Sequence, residues 1–68
     1  MYDIGDLIEI EHSFFIIRKI SINYYHLQLI DLSTGLGEIV LEDIDSENIK
    51  PIINDFILMK LYKLLIFD

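Results

Sequence analysis

Cysteine is absent from the 68-residue chain, which excludes a disulfide framework and a thiolate metal site, the usual staples of small secreted scaffolds. A cytosolic compartment is the expectation. Basic residues are scarce: five Lys and Arg against twelve Asp and Glu give a formal net charge of -7 and a pI near 4.4. Affinity for a phosphate backbone comes mostly from Lys and Arg releasing counterions, so direct nucleic-acid binding is disfavoured and a basic partner is favoured. Glycine is scarce too, and Gly35-Leu36-Gly37 reads as part of a hairpin instead of a phosphate-binding loop. The opening MYDIGDLIEIE has neither the cationic flank nor the long apolar core of a secretory signal, so the chain is read as mature. There is no internal repeat and no low-complexity tract.

Apolar character is abundant instead. Hydrophobic residues make up 53% of the chain and the mean hydropathy is +0.45, high for a single small domain whose core is marginal by size alone. Some of that apolar surface is expected to meet a partner or a second copy of the chain.

The clearest pattern is a β-hairpin from Tyr24 to Leu41. Tyr25, Leu27 and Leu29 alternate with Tyr24, His26 and Gln28, and Ile39 and Leu41 alternate with Glu38 and Glu42, the period of strands with one buried face. Upstream, Leu7 to Glu11 reads as a strand with Ile8 and Ile10 inward, followed by a tight connection at His12-Ser13. Phe14 to Ile22 is apolar on both faces through Ile17 and then breaks at Arg18-Lys19, which fits a bulge or a strong bend. After Leu41, EDIDSENIKP reads as an acidic loop with a helical turn, anchored by Ile44 and Ile49.

From Ile52 the composition changes. Asn54 or Asp55 suits the cap of a helix beginning at Phe56, with Lys60 and Lys63 on one exposed face. A closing strand through Ile52 to Leu58 is the competing reading. Twelve apolar residues between Ile52 and Phe67 exceed what a barrel of the preceding residues could cover, and a helix apolar nearly all round needs cover from two sides. The segment is too short for a membrane span, and its chain too acidic for a membrane-surface anchor. Homodimerisation through Phe56, Ile57, Met59, Leu61, Leu64, Leu65 and Phe67 is the expectation.

Several groups invite a chemical reading. Asp43, Asp45 and Glu47 alternate as at the start of a calcium loop, but Asn48 stands where Gly is needed and Asn54 where a bidentate Glu is needed. His12 and His26 lack metal-ligand spacing and read as a turn residue and an outward strand residue. Ser33 and Thr34 sit in a turn, their hydroxyls expected to satisfy backbone groups, without a base to activate them. No catalytic residue, metal or cofactor is expected.

The order of elements resembles a small Src-homology-3-like barrel, of the kind found in KOW and Tudor modules and in many short phage proteins. The residues that carry the resemblance are Gly5-Asp6-Leu7-Ile8-Glu9-Ile10, Phe15-Ile16-Ile17-Arg18-Lys19-Ile20, Tyr25-His26-Leu27-Gln28-Leu29, Thr34-Gly35, and Ile39-Val40-Leu41 leading to Ile44. It implies a barrel of four or five strands over residues 3–53, hosting any of many functions. Nucleic-acid-binding members present basic loops, which this chain lacks.

The fold class expected is mainly β: one domain, a small barrel or curved antiparallel sheet of four or five strands, with a carboxy-terminal helix over 54–68. Between Asp31 and Glu47 six acidic residues stand with no basic one, a continuous patch that either solvates the chain or imitates spaced phosphates. The functional expectation is a non-enzymatic inhibitor whose Tyr24, Glu38, Glu42, Asp43, Asp45 and Glu47 meet a basic protein. The resemblance to phage proteins extends this to a host-defence inhibitor of an RNA-guided or restriction nuclease. The alternative is an assembly module working through its tail.

Overall fold

A computed structural model describes residues 1–67. Five strands and a helix follow in order: β1 (Leu7–Ile10), β2 (Ser13–Ile20), β3 (Tyr24–Asp31), β4 (Gly35–Asp43), β5 (Lys50–Pro51) and α1 (Asp55–Phe67). Neighbouring strands pair antiparallel in one sheet of order β4-β3-β2-β1-β5. The mainly β architecture with a carboxy-terminal helix is thus as expected, but the barrel is not. β5 is two residues long and pairs with β1, so among the described residues nothing bridges it to β4, and the sheet stays open with those two strands as its edges.

Each face of the sheet carries a buried cluster. Leu7 stands opposite Ile16 and Ile8 opposite Phe15, so successive residues feed opposite faces. Ile8, Phe15, Ile17, Tyr25 and Leu27 gather on the front with Ile49, and Tyr2 and Ile44 pack against them. Leu7, Ile16 and Ile30 gather on the back with Ile52 and Leu61. The run Phe14-Phe15-Ile16-Ile17 is apolar without alternation for this reason.

Segment 44–49 connects β4 to β5 and lays both expected anchors, Ile44 and Ile49, on the front. It does so through turns, without the helical turn expected there. The back is covered by α1. Asn54 caps that helix, its Oδ1 accepting the Ile57 N–H at 3.1 Å, so the closing strand through Ile52 to Leu58 does not form. Ile57, Leu58, Leu61, Leu64 and Leu65 make the stripe that faces the sheet. Leu61 is fully buried within its own chain, which corrects its expected place at a subunit interface; burying such a side chain contributes about 1.5–3 kcal/mol. Ile57, Leu64 and Leu65 are half-buried beside it, whereas Phe56, Met59 and Phe67 face outward. The helix is described as far as Phe67, and Asp68, the last residue of the expected helical segment, lies outside the described residues.

Two bulges set the side-chain directions. One falls between Ile17 and Lys19, at the break that the Arg18-Lys19 pair announces. The other lies between Gln28 and Ile30 against β4. Beyond it Ile39 pairs with Gln28 and Leu41 with His26, which puts both on the back. They were expected on a buried face and are instead 52% and 55% exposed, because α1 covers the half of the back that holds Leu7, Ile16 and Ile30 and leaves this half open.

Candidate functional site

β4 is an edge strand nine residues long, and most of the residues expected to bind a partner lie on it or beside it. Tyr24 stands directly across from Asp43, and Tyr25 across from Glu42. Tyr24 is 44% exposed while Tyr25 is buried under the edge of the Tyr2 ring, 6.1 Å between centroids. Of the two adjacent aromatics, therefore, one is core and the other surface. Glu38 is exposed near the bulge, Glu42 is half-buried and Asp43 exposed at the far end of the strand.

Between those carboxylates the surface is apolar. Ile39, Val40 and Leu41 are all exposed, Val40 at 42%. Side chains alternate across a strand, so Val40 lies on the front and the other two on the back, wrapping the edge. Sequence reasoning missed this feature. Its signal was the run of three apolar residues, which breaks one-sided alternation in a strand with no second partner to cover it.

The acidic patch expected from Asp31 to Glu47 is not continuous. Asp31 is the last residue of β3, and its carboxylate accepts the N–H groups of Ser33 and Thr34 in the β3–β4 turn at 2.7 and 3.0 Å. Those two backbone bonds hold its carboxyl below the ordinary value of 3.8. Asp31 fixes the turn through these two backbone bonds, with the Thr34 side chain also bonding its carboxylate; the hydroxyls of Ser33 and Thr34 were expected to satisfy backbone groups there. Asp43 accepts the Asp45 N–H at 2.8 Å and so forms a similar turn at the end of β4, with Asp45 exposed. Glu47 is carried away from these residues by the crossing of segment 44–49. It lines a cleft with Glu9, Glu11, His12, Asn48 and Lys50, on the side of the sheet where β5 pairs with β1. Tyr24, Glu38, Glu42, Asp43 and Asp45 therefore stay together along the β4 edge, and Glu47 does not join them.

The two imidazoles are apart. His12 takes a left-handed backbone in the β1–β2 turn, while His26 is half-buried on β3 with Nε2 3.2 Å from the Ser21 hydroxyl. Gln28 accepts the Arg18 Nε–H at 2.8 Å and donates to the Gly37 carbonyl at 3.2 Å, a polar tie across β2, β3 and β4. Among the described residues no three His, Asp or Glu side chains are grouped so as to hold a metal ion, and no helix is long and apolar enough to cross a membrane. What the β4 edge offers chemically is contact: apolar area at its centre, carboxylates at both ends, and unpaired backbone along it. No protein-family model matches the chain, and neither a curated protein nor a solved structure matches it.

Proposed function

We propose that the chain is a non-enzymatic binding protein that captures a basic partner along its β4 edge. The observation that carries this reading is the exposure of Ile39, Val40 and Leu41 between Glu38 on one side and Glu42-Asp43 on the other. Exposed apolar side chains supply the area that drives association, and the flanking carboxylates steer a cationic surface and fix its register. Tyr24, beside Asp43, adds an aromatic anchor. A basic groove that handles nucleic acid is one target of this chemistry, and on such a target the chain acts as an inhibitor by occupying the place of the phosphates.

The test is affinity capture from the cells that encode the chain, with the natural sequence and with the E42K/D43K variant in parallel. Partners held by the first, lost by the second and released as salt rises support the reading, since electrostatic capture is screened by ions. Equal retention by both chains removes it. For a nucleic-acid enzyme the further expectation is competition with its DNA or RNA substrate.

A second reading, self-association through the outer face of α1, is favoured by one observation: Phe56, Met59, Ile66 and Phe67 are 67%, 59%, 72% and 85% exposed. The face also carries Lys60, whose Nζ lies 4.7 Å from the Phe56 ring centroid. Light scattering behind size exclusion tests it. A dimer insensitive to salt that falls to monomer in M59K/F67K supports assembly through this face, and a monomer at all concentrations excludes it.

A further inference from the structure

The two edges of the sheet are built differently. β5 consists of Lys50-Pro51, a charge and a residue without an N–H, both of which discourage another strand from pairing. β4 has neither lysine nor proline over its nine residues. It is long, apolar at the centre and uncovered.

Its free backbone groups can be assigned. The Ile44 N–H donates to the Asn23 carbonyl at 3.0 Å, which makes Asn23 and Ile44 a hydrogen-bonded pair of the β3–β4 ladder. Such pairs alternate with non-bonded ones along an antiparallel ladder. Glu42 opposite Tyr25 and Val40 opposite Leu27 therefore bond to β3, while Ile39 and Leu41 turn their N–H and C=O groups away from the sheet. Backbone groups pointing outward on an apolar edge are the template for strand addition.

We propose that the partner is bound by strand addition: a single extended segment, apolar at its centre and flanked by lysine or arginine, pairs with Ile39 and Leu41 and extends the sheet beyond β4. The proposal rests on the reading of β4 as the surface that meets a basic partner, and it adds the mode of binding and the form of the ligand. In the register centred on Val40 a second copy of the chain is a poor occupant. Antiparallel pairing of two β4 strands about Val40 places Glu38 of each opposite Glu42 of the other, like charges in direct register between two chains of net charge -7. A segment with cations at those places turns the same register into an attraction.

The experiment uses the full chain and a capped heptapeptide, Lys-Lys-Val-Ile-Val-Lys-Lys, with Glu-Glu-Val-Ile-Val-Glu-Glu as its counterpart, and reads amide hydrogen exchange by NMR. In the free protein the Ile39 and Leu41 amides should exchange fast and those of Val40 and Glu42 slowly. The lysine peptide should abolish fast exchange at Ile39 and Leu41, and the glutamate peptide should leave it unchanged. The L41P variant removes an outward N–H that gives no bond to β3, and should lose the peptide. Binding that is weakened by E42K/D43K but leaves the Ile39 and Leu41 amides fast would overturn strand addition while acidic capture stands. Equal protection by both peptides would overturn the basic character of the segment. No binding of the lysine peptide at low salt would overturn the proposal, and affinity capture then decides separately whether the acidic edge has a partner at all.

Discussion

Gly37 lies against Leu29 so closely that a Cβ on it would meet the Leu29 Cδ2 at 3.2 Å and the Leu29 Cβ at 3.3 Å. The contact falls at the bulge where the β3–β4 register shifts. Leu29 Cβ is fixed to its strand and cannot swing aside, so Gly37→Ala forces the two strands apart. Overpacking of this kind costs about 1–3 kcal/mol, against which the reduced freedom of the unfolded chain returns about 0.4–1 kcal/mol. A lowered urea midpoint is expected; an unchanged or raised one would show that the bulge relaxes freely.

Glu11 and His12 both have positive φ, 48° and 70°, at the centre of the two-residue turn that joins the Ile10–Ser13 pair of the β1–β2 hairpin. Such turns prefer Asn-Gly because a side chain in the left-handed region is crowded. Relief of about 1–2 kcal/mol per crowded residue should make E11N/H12G more stable than the natural chain. Thermal unfolding checks this, with an upward shift of several degrees expected for a domain of this size.

Leu61 is fully buried and Met59, two residues away, is 59% exposed. Leu61→Ala should cost about 2–5 kcal/mol, and Met59→Ala no more than about 0.5 kcal/mol. Asn54→Ala should fall between them, near the ~1 kcal/mol typical of a lost helix cap. Chemical denaturation of the three variants tests the docking of α1. Similar costs for Leu61 and Met59 would mean that the helix does not pack on the sheet by the stripe described.

Asp31 tests the turn by pH. The Ser33 N–H first, and the Thr34 N–H after it, lower its carboxyl from 3.8 in the folded chain. A folded value below the unfolded one means that the unfolded chain binds more protons between the two, so the carboxylate's contribution is whole above 3.8 and is lost as pH falls through the folded value. Asp31→Asn should therefore be less stable than the natural chain at neutral pH, and the gap should narrow in acid below 3.8. A gap that does not change with pH would remove the charged turn from the account.

Much of the fold was legible along the chain. The alternation in Tyr24 to Gln28, the break at Arg18-Lys19 and the cap at Asn54 each involve neighbours a few residues apart, and the structure places a strand, a bulge and a helix start there. The candidate site was legible only in part. Tyr24, Glu42 and Asp43 come together because they are paired in one hairpin, whereas Glu47 leaves them because the chain after β4 crosses the sheet to reach β1. Ile39 and Leu41 were assigned to the wrong environment because the bulge at Leu29 and the reach of α1 are set by distant parts of the chain.

By itself the sequence determined the acidity, the outline of strands β1 to β4, a residue at Asn54 suited to cap a helix, and the lack of a charge or proline to shield the middle of β4, since composition, period and capping are properties of neighbours; the same residues read as loop at β5 and leave helix against closing strand to the fold. Tertiary structure decided that the sheet stays open, that Leu61 is core while Phe67 is surface, and that Ile39 and Leu41 stand uncovered. The physical reason is that alternation tells which residues share a face, but whether that face is buried depends on what another segment lays over it. Here a two-residue β5 is too short to close the sheet, and a single helix is too narrow to cover the whole of its back.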